Sequence, residues 1–297
     1  MPPSADIPPD LRDTWQALLE DIRGLAPLVV AFSGGADSSL LLAAATQALG
    51  QGVKAAICLG PLTPPWEADR ARQLAAHLGA ELVELQAGEI NDPDIVANDS
   101  QRCYYCKRLR LTLLTQLARQ WGLASVVEGS QVDDAQDFRP GSRAVKELGV
   151  YSPLARAGLD KAAVRRLSQA LGLVTAQVPS GACLATRVPT GTRLSAPALE
   201  RIGQAEQAVR ALLPGRQVRV RDHFPLARLE LEPDVLPRAA SQPLRGRLLA
   251  ALLALGYAGV CLDLAGYRPS GGPPAGPGQD GPASRVSGGH PEKNQGK

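Results

Sequence analysis

One segment constrains this chain more than any other: a short apolar run that passes directly into a glycine loop and then into a helical pattern. Residues 28–32 read LVVAF, residues 33–38 read Ser-Gly-Gly-Ala-Asp-Ser, and Leu-Leu-Leu-Ala follows at 40–43. This order is typical of α/β proteins, in which ligands bind where a parallel strand ends. The segment therefore predicts a strand, a ligand-binding loop and a helix.

The residues of the loop indicate a phosphate ligand. Gly34 and Gly35 let backbone N–H groups turn inward, Ser33 and Ser38 add hydroxyl donors, and the following helix adds partial positive charge. The loop lacks both the Gly-Lys-Ser/Thr ending of kinases and the dinucleotide-binding spacing. We predict that it holds pyrophosphate, and a plain glycine turn with Asp37 capping the helix is the structural alternative.

The apolar pattern predicts an α/β fold followed by a smaller α+β domain. Short apolar runs at 28–32, 54–58, 81–85 and 124–128 alternate with helix-length segments, so we expect buried parallel strands in a doubly wound sheet over residues 1–188. Residues 189–268 read as helix, two strands, helix and strand. Residues 269–297 hold 8 glycines and 6 prolines, a composition that predicts a disordered tail.

Composition narrows the class of protein. The chain has 297 residues, enough for a sizeable core, and its apolar runs are far shorter than the roughly 20 residues of a membrane span. Its start shows no signal peptide pattern, so we expect a cytoplasmic protein without a membrane partner. Basic residues exceed acidic ones only after residue 189, which is compatible with either a small phosphorylated molecule or an RNA backbone.

Three of the five cysteines fall in polar motifs. Cys103 and Cys106 lie in Arg-Cys-Tyr-Tyr-Cys-Lys, on one face of an expected helix, and Cys183 lies in Ser-Gly-Ala-Cys-Leu-Ala-Thr-Arg. Neighbouring basic side chains are expected to favour thiolates. A closed zinc site lacks ligands, whereas three thiolates can anchor a [4Fe–4S] cluster with one open iron. A redox disulfide, a structural role and incidental packing remain open.

Arginines and acids supply two further candidate groups. Arg219 and Arg221 alternate along an expected strand, so they point to one face and suit a phosphate, although a solvated basic face is the alternative. An acidic loop follows the fourth strand, where carboxylates can hold Mg²⁺ on ATP or contact the substrate. Turn formation alone also explains such residues. The loop contains Asp133, Asp134, Asp137 and Arg139.

The phosphate loop resembles the signature of the PP-loop ATP pyrophosphatases, which cleave ATP to AMP and pyrophosphate. From about Leu25 to Arg268 the chain also resembles the LarE family, ATP-dependent sulfur transferases that build the nickel-pincer nucleotide cofactor. The resemblance is carried by the loop at 33–38, Cys-Tyr-Tyr-Cys-Lys at 103–107, the acidic segment at 133–141, Ser-Pro-Leu at 152–154, Cys-Leu-Ala-Thr-Arg at 183–187, Val-Arg-Val-Arg at 218–221 and Leu-Asp-Leu-Ala-Gly-Tyr-Arg at 262–268.

The resemblance implies a substrate and two routes for sulfur. The substrate is a pyridinium dicarboxylate mononucleotide whose adenylated carboxylates become thiocarboxylates, with ATP and Mg²⁺ as cofactors. Cys183 matches the cysteine that attacks the acyl adenylate and ends as dehydroalanine. Members with three cysteines are instead thought to hold a [4Fe–4S] cluster that carries sulfide, here on Cys103, Cys106 and Cys183.

The resemblance also implies the surroundings of the site. It places Arg187 and Arg268 beside the arginine pair at 219 and 221 as ligands of the substrate phosphate, with Glu206 and Glu230 as their charge partners. From their position in the loop after the fourth strand, we also expect Asp137 and Arg139 to contact ATP or substrate. Family members form homo-oligomers, but a single sequence shows no interface.

Three other classes of protein share parts of this pattern. A tRNA-thiolating PP-loop enzyme also combines AMP activation with a Cys-x-x-Cys pair, but it calls for a broad basic surface, whereas residues 1–189 carry 18 basic and 20 acidic side chains. An amide-forming synthetase has no need of three thiols, and a nucleotide sensor would not release pyrophosphate. We therefore expect a small-molecule substrate rather than nucleic acid.

Overall fold

The computed structural model describes residues 7–50, 53–136, 140–177 and 181–268. The chain divides into two compact units, Met1–Tyr267 and Arg268–Lys297. Asp137, Arg139 and the expected tail at 269–297 lie outside the described residues. The strands are β1 Leu28–Ala31, β2 Lys54–Leu59, β3 Glu81–Gln86, β4 Ser125–Val127, β5 Val218–His223, β6 Leu226–Leu231 and β7 Gly259–Leu262.

Helices separate the strands as the apolar pattern predicts. No helix in the described ranges is both long and apolar enough to span a lipid bilayer. The α-helices are α1 Arg12–Gly24, α2 Ala36–Leu49, α3 Pro65–His77, α4 Pro93–Val96, α5 Arg102–Gln120, α6 Val132–Gln136, α7 Gly141–Glu147, α8 Pro153–Arg156, α9 Lys161–Ala170, α10 Ala196–Leu212, α11 Leu236–Ala239 and α12 Leu244–Leu253.

The first four strands form one parallel sheet in the order β3-β2-β1-β4. The side chains of successive β1 residues lie on opposite faces of the sheet. Val30 packs with helices α1, α2 and α9, whereas Val29 packs with α5 and α7. Helices on both faces confirm the predicted doubly wound α/β fold. Strand β3 departs from the prediction of full burial, because it forms the edge of the described sheet and its side chains are partly or fully exposed.

The last three strands form a second sheet in the order β5-β6-β7. Strands β5 and β6 are an antiparallel hairpin, and β7 joins β6 in parallel. Helices α10 and α12 cover this sheet through an apolar core that includes Val209, Val220 and Leu248. The small α+β region is therefore confirmed, while the domain boundary at 188/189 stays a prediction, since both sheets belong to the unit Met1–Tyr267.

Candidate functional site

The phosphate loop connects β1 to α2 as the sequence predicts. Helix α2 begins at Ala36 with Gly35 as its cap residue, and the Ser33 and Ser38 hydroxyls lie 3.1 Å apart. The Ser33 amide donates to Ser38 Oγ at 3.3 Å, and Ser38 Oγ donates to the Gly35 carbonyl at 3.2 Å. These bonds hold the loop in a tight turn in front of the positive end of a 14-residue helix, which is a suitable place for an anion.

Helix α3 and the segment after β4 pack closely against this loop and leave no room for a side chain at the glycines in contact. Gly34 has φ +70°, and a Cβ built there lies 3.0 Å from Ala71 Cβ of α3. Gly129 follows β4, and a Cβ built there lies 2.9 Å from the Ser38 amide nitrogen. Arg70 of α3 also donates its Nε–H to the Gly34 carbonyl at 2.9 Å. The glycines are therefore required by close packing as well as by backbone conformation.

Asp37 pairs with a lysine and does not cap the helix. Its two carboxylate oxygens accept hydrogen bonds from Lys161 Nζ at 2.7 and 2.8 Å. Lys161 is the first residue of α9, and its amide donates to Asp133 Oδ2 at 3.0 Å. Asp134 Oδ2 accepts from the Gln131 amide at 3.0 Å. The described part of the acidic loop thus has the local bonding that turn formation explains, together with one link to the phosphate loop.

Cys183 lies in a segment whose backbone is firmly held. It precedes the short 3₁₀ helix Leu184–Arg187, and the Leu184 amide donates to the Leu62 carbonyl at 2.9 Å. Its own carbonyl accepts from the Thr186 amide at 3.0 Å and from Arg187 at 3.2 Å. The side chain is half-buried. The backbone bonds fix the direction of the Cα–Cβ bond of Cys183, so its thiol can occupy only the few positions that rotation about that bond allows.

Arg187 is the main support of this segment. Its guanidinium forms a two-pronged ion pair with Glu206 of α10, at 2.7 and 3.0 Å, and also donates to the Ala182 carbonyl at 2.8 Å. Glu206 in turn accepts from the Val220 amide of β5 at 3.0 Å. The pair is buried, with side-chain exposures of 4% and 0%. Glu206 is therefore the charge partner that the resemblance implies.

A cavity opens beside the cysteine segment, between α3, α10 and β5. Its volume is about 440 Å³ including its open mouth. Arg210 stacks over the Trp66 ring at 4.5 Å, and Arg219 stacks over the Tyr267 ring at 4.7 Å. The lining consists of Trp66, Glu67, Arg70, Gly181, Ala182, Arg187, Arg210, Gln217, Val218, Arg219 and Tyr267.

The electrostatics of the cavity favour an anionic guest. Burial and the nearby guanidinium of Arg187 lower the pKa of both Arg210 and Arg219. Burial also raises the pKa of Glu67, and the arginines around it act in the opposite direction. Four arginines thus line the cavity with one glutamate, and one of the four, Arg187, is already paired with the buried Glu206. Guanidinium groups in a concave, partly desolvated space can form paired hydrogen bonds with phosphate and carboxylate groups.

The predicted arginines have different positions. Arg187 and Arg219 line the cavity, whereas Arg221 forms an ion pair with Glu230 at 2.8 Å and donates to the Thr186 carbonyl. Glu230 is therefore also a charge partner, as expected. Arg268 belongs to the second unit and is half-buried.

The paired cysteines lie at the start of α5. Cys103 is exposed, and Cys106 is half-buried against the apolar cluster that Cys183 also contacts. Burial raises the pKa of Cys106 to about 11, and the nearby thiols of Cys183 and Cys103 act in the same direction, while Arg110 opposes them. The prediction that basic neighbours favour the thiolate is therefore wrong for Cys106, because burial outweighs them.

The basic side chains beside Cys106 have other partners. Lys107 donates to Glu128 at 2.9 Å, Arg108 stacks over the Tyr104 ring, and Arg110 pairs with the buried Glu89. Within the described ranges, no three His, Cys, Asp or Glu side chains are gathered closely enough to hold a metal ion. The structure brings the three thiols into one neighbourhood without assembling them into a metal site.

Several residues of the site escape the sequence analysis. Glu67 and Arg70 lie one turn apart on α3, Arg210 lies on α10 and Lys161 begins α9. A usable signal exists for the α3 pair: it follows the carboxyl end of β2, the edge where α/β sheets bind ligands. Arg210 and Lys161 carry no such signal, since their neighbours in space are distant in sequence.

Comparisons with known proteins identify a family and several relatives. Residues 15–99 match the asparagine synthase family, and this range contains the phosphate loop. A relative from Lactiplantibacillus plantarum is 34% identical over 84% of this chain and 90% of its own length, and it is named pyridinium-3,5-bisthiocarboxylic acid mononucleotide synthase.

Two further relatives extend over most of the chain. An uncharacterised protein of Synechocystis is 37% identical over 85% of this chain and 96% of its own length. Another, from Methanocaldococcus jannaschii, is 29% identical over 81% of this chain and 90% of its own. The structure adds a phosphate loop on a parallel sheet and a cysteine segment beside a cavity lined with arginines. The extent of identity shows that the chain belongs to the LarE family of PP-loop, ATP-dependent sulfur transferases of cofactor synthesis.

Proposed function

We propose that this enzyme adenylates the carboxylates of a pyridinium dicarboxylate mononucleotide with ATP and converts them to thiocarboxylates for a nickel-pincer nucleotide cofactor. One observation carries the proposal: helix α3 contacts both the phosphate loop and the cysteine segment. Arg70 and Ala71 contact Gly34 of the phosphate loop, and Glu67 lies against Gly181, two residues before Cys183. ATP activation and a thiol are thereby held at fixed separation.

The first step forms an acyl adenylate. A substrate carboxylate oxygen attacks the α-phosphorus of ATP, the bond to the bridging oxygen of pyrophosphate breaks, and pyrophosphate leaves with the displaced negative charge. The loop amides, Ser33 and Ser38 would bind those phosphates. Mg²⁺ takes one or two carboxylates plus substrate phosphates, and Asp37 is the loop carboxylate that fits this role. The metal neutralises phosphate charge when bound.

The cavity would orient the substrate for this step. Arg187, Arg210 and Arg219 line it, Arg187 through its buried ion pair with Glu206, and the substrate brings one phosphate and two carboxylates. Binding the phosphate there would bring the pyridinium ring near the cysteine segment, because Gly181 and Ala182 line the same cavity. The name of the relative from Lactiplantibacillus plantarum describes a pyridinium mononucleotide with two thiocarboxylic acid groups, which is what this substrate would become.

Cys183 is the proposed sulfur-carrying nucleophile. Its thiolate attacks the adenylated carbonyl, a carbon–sulfur bond forms, and AMP leaves. Loss of the Cα proton and cleavage of the Cβ–S bond then release the thiocarboxylate and leave dehydroalanine. The bonds from Arg187 and Thr186 to the Cys183 carbonyl support the orientation that this attack needs.

A second route uses the same cysteine without consuming it. Cys103, Cys106 and Cys183 would hold a [4Fe–4S] cluster that supplies sulfide from an open iron. The thiol chemistry fits such a group: the thiols of Cys183 and Cys103 disfavour a charge on Cys106, and a bound cation would relieve that repulsion. The absence of an assembled metal group among the described residues favours neither route.

One experiment distinguishes the routes and tests the proposal. The enzyme is purified without oxygen and analysed for iron and sulfide, and its intact mass is measured before and after turnover with the dicarboxylate mononucleotide. Loss of H₂S from Cys183 supports the sacrificial route, and iron with unchanged mass supports the cluster route.

Variants at two cysteines provide the control. Cys183→Ala should keep substrate-dependent pyrophosphate release and lose thiocarboxylate formation. Cys261→Ala removes another non-buried thiol, on β7, and should leave both unchanged. Thiocarboxylate formation by Cys183→Ala at the normal rate would contradict the proposed role.

A further inference from the structure

A buried asparagine joins the two parts of the chain that carry the candidate cysteines. Asn98 lies five residues before Cys103, and its side-chain amide donates to the carbonyls of Pro189 and Thr192 at 3.0 and 2.9 Å. Its own backbone carbonyl accepts from the Gly191 amide at 2.9 Å. These bonds tie the chain before helix α5 to the turn that follows the cysteine segment.

The backbone of Asn98 has an uncommon conformation. Among the non-glycine residues that the structure describes, only Asn98 has a positive φ, of 56°. This conformation is disfavoured for most side chains and is tolerated best by glycine and asparagine. Asn98 is also fully buried, so its amide depends on acceptors within the protein. A buried polar side chain in a costly backbone conformation indicates a specific role.

Arg102 extends this connection to both cysteine-bearing parts. It begins α5, and its guanidinium donates to the Asn98 side-chain carbonyl and, at 3.3 Å, to the carbonyl of Ala185, two residues after Cys183. A second nitrogen of the guanidinium lies 3.8 Å from Cys103 Sγ. The residue is only 9% exposed, and all these acceptors are neutral when the thiol is protonated. A buried charge without a counter-charge is costly, so Arg102 would stabilise an anion beside Cys103.

We propose that Asn98 and Arg102 are positioning residues that hold the two cysteine-bearing parts together. Their bonds would keep the thiols of Cys103, Cys106 and Cys183 close enough for one sulfur-binding centre to take all three. Cys106 and Cys183 pack against the same apolar cluster. Within the described ranges the thiols are not gathered around a metal position, so side-chain rotation on this fixed base has to complete the site.

This inference rests on the cluster route of the proposed function, because the sacrificial route needs Cys183 alone. A purely structural role makes a different prediction. If Asn98 only stabilises the fold, its loss should affect ligands of two thiols and of three thiols alike. If it sets the distance between the two parts, its loss should spare a ligand of the pair Cys103 and Cys106 and weaken a ligand that also needs Cys183.

Trivalent arsenic provides both probes. Phenylarsine oxide forms two arsenic–sulfur bonds, and its oxygen leaves as one water with the two thiol protons. Arsenite, as As(OH)₃, forms three such bonds, and each hydroxyl leaves as water with one thiol proton. Neither reaction changes the oxidation state of arsenic or sulfur, so no other reagent is needed. The two reagents therefore compare a two-thiol site with a three-thiol site in the same protein.

Titration of the full chain, reduced and free of iron, tests the proposal. Ultraviolet absorption of the arsenic–sulfur bonds reports binding, and the intact mass counts the thiols consumed. Asn98→Gly removes the side-chain bonds but accepts the positive φ. It should weaken arsenite binding about 10- to 100-fold through a lower effective concentration of Cys183, and change phenylarsine oxide binding by less than about 2-fold. Arg102→Met should show the same difference between the reagents.

Two further variants calibrate these measurements. Cys183→Ala removes the third thiol and should lose three-thiol binding of arsenite while keeping phenylarsine oxide. Asn91→Gly makes the same substitution at an exposed asparagine a few residues earlier and should match the wild type. Thermal unfolding verifies that each variant is folded, and Arg102→Met gives the answer if Asn98→Gly does not fold.

Three results would overturn the inference: wild-type arsenite affinity in Asn98→Gly and Arg102→Met, an equal loss for phenylarsine oxide, or a wild type whose bound arsenite consumes fewer than three thiols. These titrations use neither ATP nor substrate, so the proposed function fails separately, when the wild type forms no thiocarboxylate. Selective loss of arsenite binding in Asn98→Gly would then still support the positioning role. Thiocarboxylate formation by a wild type that never gathers three thiols refutes the inference and leaves the sacrificial route.

Discussion

The buried ion pair between Arg187 and Glu206 links the cysteine segment to the second sheet, and Glu206→Gln is the sharpest test of its importance. Glutamine has nearly the same shape and keeps an acceptor for the Val220 amide, which now donates to Glu206 at 3.0 Å. What it removes is the negative charge. The guanidinium of Arg187, only 4% exposed, is then left in the interior without its counter-charge.

The expected cost follows from this burial. Removing one partner of a buried ion pair costs about 3–5 kcal/mol, because the other charge stays desolvated and unpaired. For a protein of this size each kcal/mol lowers Tm by roughly 2–4 °C, so we expect a decrease of about 6–20 °C. The remaining bonds of Arg187 to backbone carbonyls do not neutralise its charge, and they therefore do not prevent the loss.

Urea unfolding followed by circular dichroism, with thermal unfolding in parallel, measures this loss. Glu84→Gln is the matched control, because Glu84 pairs with Arg72 at 2.6 Å but both side chains are at least 36% exposed. Exposed pairs contribute about 0–1 kcal/mol, so this variant should unfold close to the wild type. The difference between the two variants isolates the effect of burial.

A double variant separates stability from function. Arg187→Met in the Glu206→Gln background removes the stranded charge and should recover at least half of the lost stability. It should still transfer sulfur poorly, because the Ala182 and Cys183 carbonyls lose their shared donor. A Glu206→Gln variant within about 1 kcal/mol of the wild type would refute the reasoning. Normal sulfur transfer by the double variant would show that Arg187 does not position Cys183.

Two further substitutions test the loop and its surroundings. Gly129→Ala places a Cβ 2.9 Å from the Ser38 amide nitrogen and should weaken ATP binding about 10-fold by calorimetry, whereas Gly24→Ala, with no atom within 4 Å, should not. Burial raises the pKa of Glu128, but Lys107 and serine hydroxyls together hold it below its ordinary value. Lys107→Met should therefore cost about 1.5–3 kcal/mol at pH 7, and urea unfolding should show this cost shrinking as the pH falls through the folded pKa and Glu128 is protonated.

The local parts of the fold could be predicted because short-range patterns determine them. An apolar run followed by Gly34 and Gly35 gives a strand and a tight turn whatever the rest of the chain does, and the observed strands lie within about two residues of the predicted ones. Strand β3 is the exception in burial. Its position at the edge of the described sheet is set by strand order, which the apolar pattern does not contain.

The cavity could not be predicted in the same way. Arg70 and Arg210 lie on helices where exposed arginines are ordinary, and they line one cavity only because α3, α10 and β5 meet. The pair between Asp37 and Lys161 joins residues 124 positions apart. Nothing in the local sequence of either residue indicates the other, so only the tertiary structure identifies them as partners.

Charge estimates from neighbouring residues fail for a related reason. Lys107 follows Cys106 in the sequence, but its ammonium is bonded to Glu128 at 2.9 Å. Arg110 is the cation that acts on Cys106, and it is already paired with Glu89. The pKa of a thiol depends on the direction of each side chain and on burial, neither of which a one-dimensional motif provides.

Helix α3 explains how one fold can combine adenylation with sulfur transfer. Glu67 and Arg70 are three residues apart, so they project from the same face within a single turn, one toward Gly181 and the other toward Gly34. An insertion or deletion between them would rotate one contact by about 100° relative to the other. The spacing in this turn therefore couples the position of the phosphate loop to that of the cysteine segment, as the proposed transfer of one carboxylate from adenylate to thiol requires.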